Sequence, residues 1–389
     1  MSDSSAELRR VLRRIRAELH GEARSAALEQ HLEVVEAAGD PPLLNEMLAD
    51  LVEFYNFSVD PTRVLVPFSR LVHNYETAPE HFDSDTDHRL HWTFKWIVPK
   101  MLERPEVPLE SIEEWLERFR SRYAEAGYSL HPVHEAEHTL AENLGDTERA
   151  AKALVAMRST EPDRMSNCKA CRFNNLAQIT AGEGDHEQAL ELWNSILERG
   201  LRCVHQPHSA LANSLLPLLA LGCFDQARNN HLRGYPMVRD KDDKVYAVKQ
   251  HLRFCALTGN EARGIEILAA HTRFHGLDLD PDTRRDLLEG VQVVCAALVS
   301  RGMGDTEVPG PEGRLWRAAE LCARSDAERR AINRRYDRRN GNDAQSRSSD
   351  ERVRVDTPYP HVPLGLKTST VLPLSKPSSP PRERSSPED

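Results

Sequence analysis

The chain of 389 residues is poor in cysteine, lysine and aromatics, with 7 Cys, 9 Lys against 42 Arg, and 6% Phe, Trp and Tyr. No stretch approaches the roughly 20 apolar residues that a membrane-crossing helix needs. The opening MSDSSAELRRVLRRIRAELH interrupts any apolar signal core with charge. Both features lead to the expectation of a soluble, cytoplasmic protein. Seven cysteines in so long a chain do not make a disulfide framework, so the thiols are expected reduced and mostly buried. Strand-like alternation is nearly absent, and no Asn-Gly hairpin joins β-branched segments. There is no phosphate loop of the Gly-x4-Gly-Lys-Ser/Thr type, no G-x-G-x-x-G after a strand and no G-x-S-x-G elbow, so the commonest nucleotide-binding and hydrolase signatures are missing. With 51 basic and 61 acidic residues the net charge is −10, which argues against bulk attraction to nucleic acid while leaving a local basic patch open.

What the chain does have is helical periodicity. Apolar residues recur three and four apart, as in Leu43, Leu44, Met47, Leu48, Leu51, Val52 and in Ile112, Trp115, Leu116, Phe119, Tyr123. Prolines stand where helices should begin or end, at 41, 42, 61, 105, 132, 162, 207 and 281. Pro67 and Pro99 lie inside apolar stretches and are expected to kink or shorten their helices. A Gly/Pro linker, RGMGDTEVPGPEG, precedes a last helical stretch at about 313–340, where Ser325 and Glu328 form a capping-box pattern. From about 341 the composition turns to Ser, Pro and charge. Such a segment buries too little apolar surface to offset its ordering entropy, so 341–389 is expected to be disordered.

A short phrase repeats: Gly, four residues, then a small residue. It occurs as Gly145–Ala150, Gly184–Ala189, Gly222–Ala227 and Gly259–Gly264, with Gly-to-Gly intervals of 39, 38 and 37. Four residues beyond stand Leu154, Trp193, His231 and Leu268; seven before each Gly stand His138, Ala177, Leu215 and Leu252. Glycine ends one helix at positive φ, the small residue lets the next helix pack closely, and the large residue fills the gap a turn later.

This pattern resembles the tetratricopeptide repeat, with GEGDHEQALELWNSIL the best copy. The likeness covers about 130–275 and extends weakly over 1–130, where GDPPLLNEML keeps the Gly-Asp and loses the Ala. The period exceeds the family's roughly 34 residues, and His231 replaces an apolar filler. EARGIEILAAH and the arginine-heavy composition also look like actinobacterial proteins of this type. The resemblance implies an all-α, right-handed superhelical array of antiparallel helix hairpins whose concave face binds a protein or peptide: a non-catalytic scaffold or adaptor. The expected division is 1–130 degenerate repeats, 131–300 tetratricopeptide-like repeats, 301–340 linker and terminal helices, and 341–389 tail. The competing architecture is an irregular helical bundle.

Three segments are candidates for chemistry. Cys168-Lys-Ala-Cys171 is followed by Cys203, His205 and His208. In a helical hairpin the first pair and Cys203 lie at neighbouring ends, so Cys168, Cys171, Cys203 and His208 are candidate ligands of a closed structural zinc site. The alternative is incidental reduced thiols; redox chemistry lacks its βαβ context. His134-Glu135-Ala136-Glu137-His138 matches H-E-x-x-H and offers a zinc-peptidase reading, with Glu161 or Asp163 at a conceivable distance for a third ligand. Against it stands a repeat helix carrying His and Glu on its face. The arginines of 324–339, with Tyr336 among them, read as a solvated terminal helix or as a contact for nucleic acid or an acidic partner. Trp92, Phe94 and Trp96 are core residues or a groove anchor. The proline-rich motif around Pro377, Pro380 and Pro381, with Tyr359-Pro360, reads as a solubilising linker or a polyproline ligand.

Overall fold

A computed structural model describes residues 3–365 except Val59 and Thr357. The first helices are α1 (Asp3–Glu18), α2 (Gly21–Ala38), α3 (Pro41–Asn56), α4 (Leu65–Thr77), α5 (Ser84–Leu102) and α6 (Leu109–Glu125). Next come the pairs α7 (His131–Leu144) with α8 (Thr147–Ser159) and α9 (Lys169–Gly182) with α10 (His186–Glu198). The short α11 (His208–Asn213) and α12 (Leu215–Ala220) then precede α13 (Phe224–Val238), followed by α14 (Val245–Leu257), α15 (Glu261–Ala270) and α16 (Pro281–Ser300). The chain closes with β1 (Glu307–Pro309), β2 (Leu315–Arg317), α17 (Ala318–Asn340) and α18 (Ala344–Arg352). The fold is all-helical apart from this small ribbon, as the periodicity predicts.

The repeated phrase marks the hairpin turns. Gly145, Gly184, Gly222 and Gly259 all have positive φ, between 69° and 91°, a region costly for any residue with a Cβ. Asp146 and Asp185 follow two of these glycines and accept hydrogen bonds from the backbone of Arg149 and Gln188, both at 3.0 Å. Each thereby satisfies an orphan donor of the new helix. The small residues Ala150, Ala189 and Ala227 are buried, and a Cβ on Gly264 would come 3.1 Å from both methyls of Val294. The fillers Leu154, Trp193, His231 and Leu268 are buried as well. Trp193 keeps its indole satisfied by donating to Asn174 Oδ1 at 3.1 Å.

Two large apolar clusters, and a small one of Leu288, Ile332 and Tyr336, organise the interior of the described residues. One gathers residues from Leu12 to Met165, the other residues from Ala170 to Val362. The change of core therefore falls between α8 and α9. Val133, Ala136 and Leu140 of α7 pack with the N-terminal helices, so the first helix of the first phrase-bearing hairpin shares a core with them.

Several local expectations are corrected. Pro67 sits in the first turn of α4, where its missing N–H costs nothing, so it does not shorten that helix; Pro99 lies inside α5, one turn before its end. The Gly/Pro linker forms an antiparallel ribbon pairing Glu307 with Arg317 and Pro309 with Leu315. Residue 318 already begins α17, so Ser325 is a buried mid-helix residue and caps nothing. The described residues of 341–365 are ordered, against the expectation of disorder from 341. Gly341, at φ 71°, ends α17; α18 follows; and Val362 is buried, its N–H donating to the Thr258 carbonyl. Composition misleads here because polar partners on other helices, such as Glu289, supply what apolar burial does not. The proline-rich motif at 377–381 lies outside the described residues. No helix among the described residues is long and apolar enough to cross a membrane.

Candidate functional site

Cys168 is the residue before α9, with extended backbone (φ −58°, ψ 155°), so its side chain folds back over the first helical turn. Burial opposes its ionisation, but the backbone N–H groups of Cys171 and Ala170 and the neighbouring thiols hold its pKa below the ordinary thiol value. Cys171, one turn into the helix, is more enclosed; burial and the charges of Cys168 and Cys203 push its pKa up. Cys203 arrives from the loop after α10. It exchanges two backbone hydrogen bonds with Gln206, each 3.3 Å, and the tight turn so formed aims the His205 N–H at Cys203 Sγ at 3.4 Å. All three sulfurs lie within 4.8 Å of one another, Cys171 and Cys203 at 3.5 Å. Thiolates on tetrahedral zinc, at a Zn–S length of about 2.3 Å, stand about 3.8 Å apart. The three cysteines could hold a metal ion.

His208 does not join them. It starts α11 and lines a separate cavity of about 240 Å³ with Lys100, Glu103, Asp243 and Lys244, where burial and then Lys244 lower its pKa to about 4. The spacing argument fails at this residue because the 203–206 turn carries the chain away before α11 begins. His205 is the nearer histidine; its ring lies 6.0 Å from that of Phe57.

The cysteines form one wall of a cleft of about 790 Å³. The opposite wall comes from α3 and α5, and includes Phe57, Trp92 and Trp96. The HWTFKWIV segment thus serves both of its candidate roles: Phe94 is a core residue, while Trp92 and Trp96 are half-buried in the cleft. Trp96 meets Phe57 edge-on at 5.9 Å and Trp92 at 6.3 Å. At the rim Asp50 is clasped by Arg16 (2.6 Å) and Arg89 (2.8 Å), which also pair with Glu46 (2.7 Å) and Glu53 (3.2 Å), so the arginine charges are met by carboxylates. Lys95, between the tryptophans in sequence, lies over the Trp92 ring and donates to the Met165 carbonyl at 3.0 Å. Burial pulls its pKa down to about 7 against the pull of Glu135 and the thiols. The clasp and Lys95 escape sequence reasoning, since their partners stand 34 to 70 residues away.

The other candidates are placed elsewhere. Glu135 accepts from Asn167 (3.0 Å) and Asn175 (2.5 Å), and Glu137 pairs with Arg120 and Arg149. No third histidine or acid joins His134 and His138 in a ligand group among the described residues. Glu161 and Asp163 instead order the 129 and 160s loops: Ser129 donates its hydroxyl to the Glu161 carbonyl and its N–H to Asp163. The arginine helix is solvated on one side, where Arg324, Arg330, Arg334, Arg335 and Arg338 are exposed, and packed on the other. Arg329 is fully buried, bound to Gln292, Asp326, Ser349 and Asp350; Arg335 pairs with Glu106; and Arg339 donates to the carbonyls of Leu102 and Arg104.

Comparison with known protein families finds no model that matches this chain, and comparison with curated proteins finds no significant match.

Proposed function

We propose that this protein is a non-catalytic binding array of tetratricopeptide-like hairpins that takes a peptide segment of a protein partner in the aromatic cleft. A Zn²⁺ ion held by Cys168, Cys171 and Cys203 staples the cleft wall. The observation that carries this reading is the cleft itself. About 790 Å³ accommodates several side chains, two tryptophans and a phenylalanine supply apolar contact, and the flanking charges are already paired. Aromatic anchors in a concave site are the usual source of binding energy at interfaces.

In-cell crosslinking followed by capture tests the proposal with three chains: the natural one, Trp92→Ala/Trp96→Ala, and Val66→Ala as a surface control remote from the cleft. One partner segment is expected with the natural chain and the control, reduced about tenfold or more in the double variant. Equal recovery by all three would remove the cleft from the function. The metal is read separately: one zinc per chain under reducing conditions, lost in Cys171→Ser.

A further inference from the structure

We infer that the metal at Cys168, Cys171 and Cys203 keeps its fourth coordination position open toward the cleft, and that a histidine imidazole of the bound segment occupies it. This rests on the zinc reading and on the peptide reading above, and adds the chemistry by which the two meet.

Ligand count comes first. Zinc in proteins is four-coordinate, and structural sites supply all four ligands from the chain, whereas a three-ligand site leaves one position for an incoming group. Here three sulfurs converge and His208 stands apart in the neighbouring cavity. His205 is committed through its backbone, donating its N–H to Cys203 Sγ, while its ring faces Phe57. All three cysteines line the cleft, so the face of the sulfur triangle that is not against the helix looks into the space where a segment would bind.

Charge selects the donor. Three thiolates and one Zn²⁺ sum to −1. A carboxylate or a fourth thiolate would raise that to −2 in a partly enclosed site, where like charges repel several-fold more strongly than in water. Lys95 is the one nearby cation that faces the thiolates and offsets a single charge; Arg16 is shared between Asp50 and Glu46 and Arg89 between Asp50 and Glu53, so a second negative ligand finds no further countercharge among the cleft residues. A neutral imidazole adds no charge, is a good zinc ligand and has a flat apolar face. The walls are made for such a face: Trp92, Trp96 and Phe57 stand edge to face around the space, and the His205 ring already rests against Phe57.

The experiment uses the full-length chain loaded with Co²⁺, whose visible bands report coordination. Imidazole, then the tripeptide acetyl-Gly-His-Gly-amide, is titrated into the natural chain, His205→Gln and Trp92→Ala/Trp96→Ala. Acetate and 2-mercaptoethanol serve as rival donors. The expected result is a saturable shift of the cobalt bands with the sulfur-to-cobalt band retained, the same in His205→Gln. The tripeptide should bind about tenfold more tightly than imidazole, and that advantage should vanish in the double tryptophan variant. Bands unmoved by imidazole would overturn the open position. A His205→Gln spectrum that differs before any addition would show that the chain's own histidine fills it. Saturation by acetate or thiol below the imidazole concentration would overturn the donor class. Failure to bind Co²⁺ at all would instead defeat the zinc reading on which the inference stands.

Discussion

At the scale of single residues, the sharpest departure from the repeat pattern is His231, which stands where an apolar filler belongs. It is fully buried, stacks on Phe254 with ring centroids 4.8 Å apart, and places its Nδ1 3.1 Å from that of His251, also fully buried. Burial, then Arg263, pulls the pKa of His231 down to about 3; burial, then His231 and Arg263, drives His251 down as well. In the unfolded chain both titrate near 6.5. Below that pH the unfolded state takes up protons that the folded state refuses. The stability is therefore complete above about pH 6.5 and is lost as pH falls toward the folded values, at up to about 1.4 kcal/mol per pH unit for each histidine. Thermal unfolding between pH 7 and pH 4 should show this decline, and it should be shallower in His231→Phe/His251→Leu. Parallel declines would show that the pair is not responsible.

At the scale of the helix, the glycine turns separate strain from contact. Gly222 and Gly145 have nearly the same φ, 70° and 69°, but a Cβ at 222 meets nothing within 4 Å, whereas one at 145 would lie 2.8 Å from the Cβ of Ala344. Gly222→Ala should cost the left-handed penalty alone, about 1–2 kcal/mol. Gly145→Ala should cost that and also displace the start of α18, so its loss in a denaturant titration should be clearly larger. Equal losses would mean that α18 does not seat against this turn. The turn glycines were legible because a helix end is a local event: one residue's φ and the next residue's cap decide it. The start of α17 was not. Ala318 is placed by N–H bonds from Ala318 and Ala319 back to the carbonyls of Thr306 and Gly304 across the ribbon, and that geometry outweighed a plausible cap at Ser325.

At the scale of the whole molecule, α17 and α18 join the two halves. Tyr336 donates to the Glu103 carbonyl and Asn340 to that of Asn143, both on the N-terminal side. On the C-terminal side Arg352 and Ser349 reach the fully buried Glu289, which Lys249 also contacts. Removing one partner of a buried charge is expensive, about 3 kcal/mol or more. A chain ending at residue 340 strips Arg329 of Ser349 and Asp350, and Glu289 of Arg352. It should unfold several degrees below the full chain, and Arg352→Ala should reproduce part of the loss. Identical melting temperatures would show that 341–365 contributes nothing to the core.

The line between what could and could not be read beforehand follows interaction range. Helices, their turns and the small-residue contacts are set by residues three to seven apart, and a single chain displays that spacing openly. The convergence of Cys168, Cys171 and Cys203 was half legible, because a hairpin brings its two ends together whatever its neighbours do. The exclusion of His208, the cleft wall of Phe57, Trp92 and Trp96, and the burial of Arg329 arise from helices far apart in sequence. Their position depends on how whole faces pack, a sum over many weak contacts that no local pattern encodes.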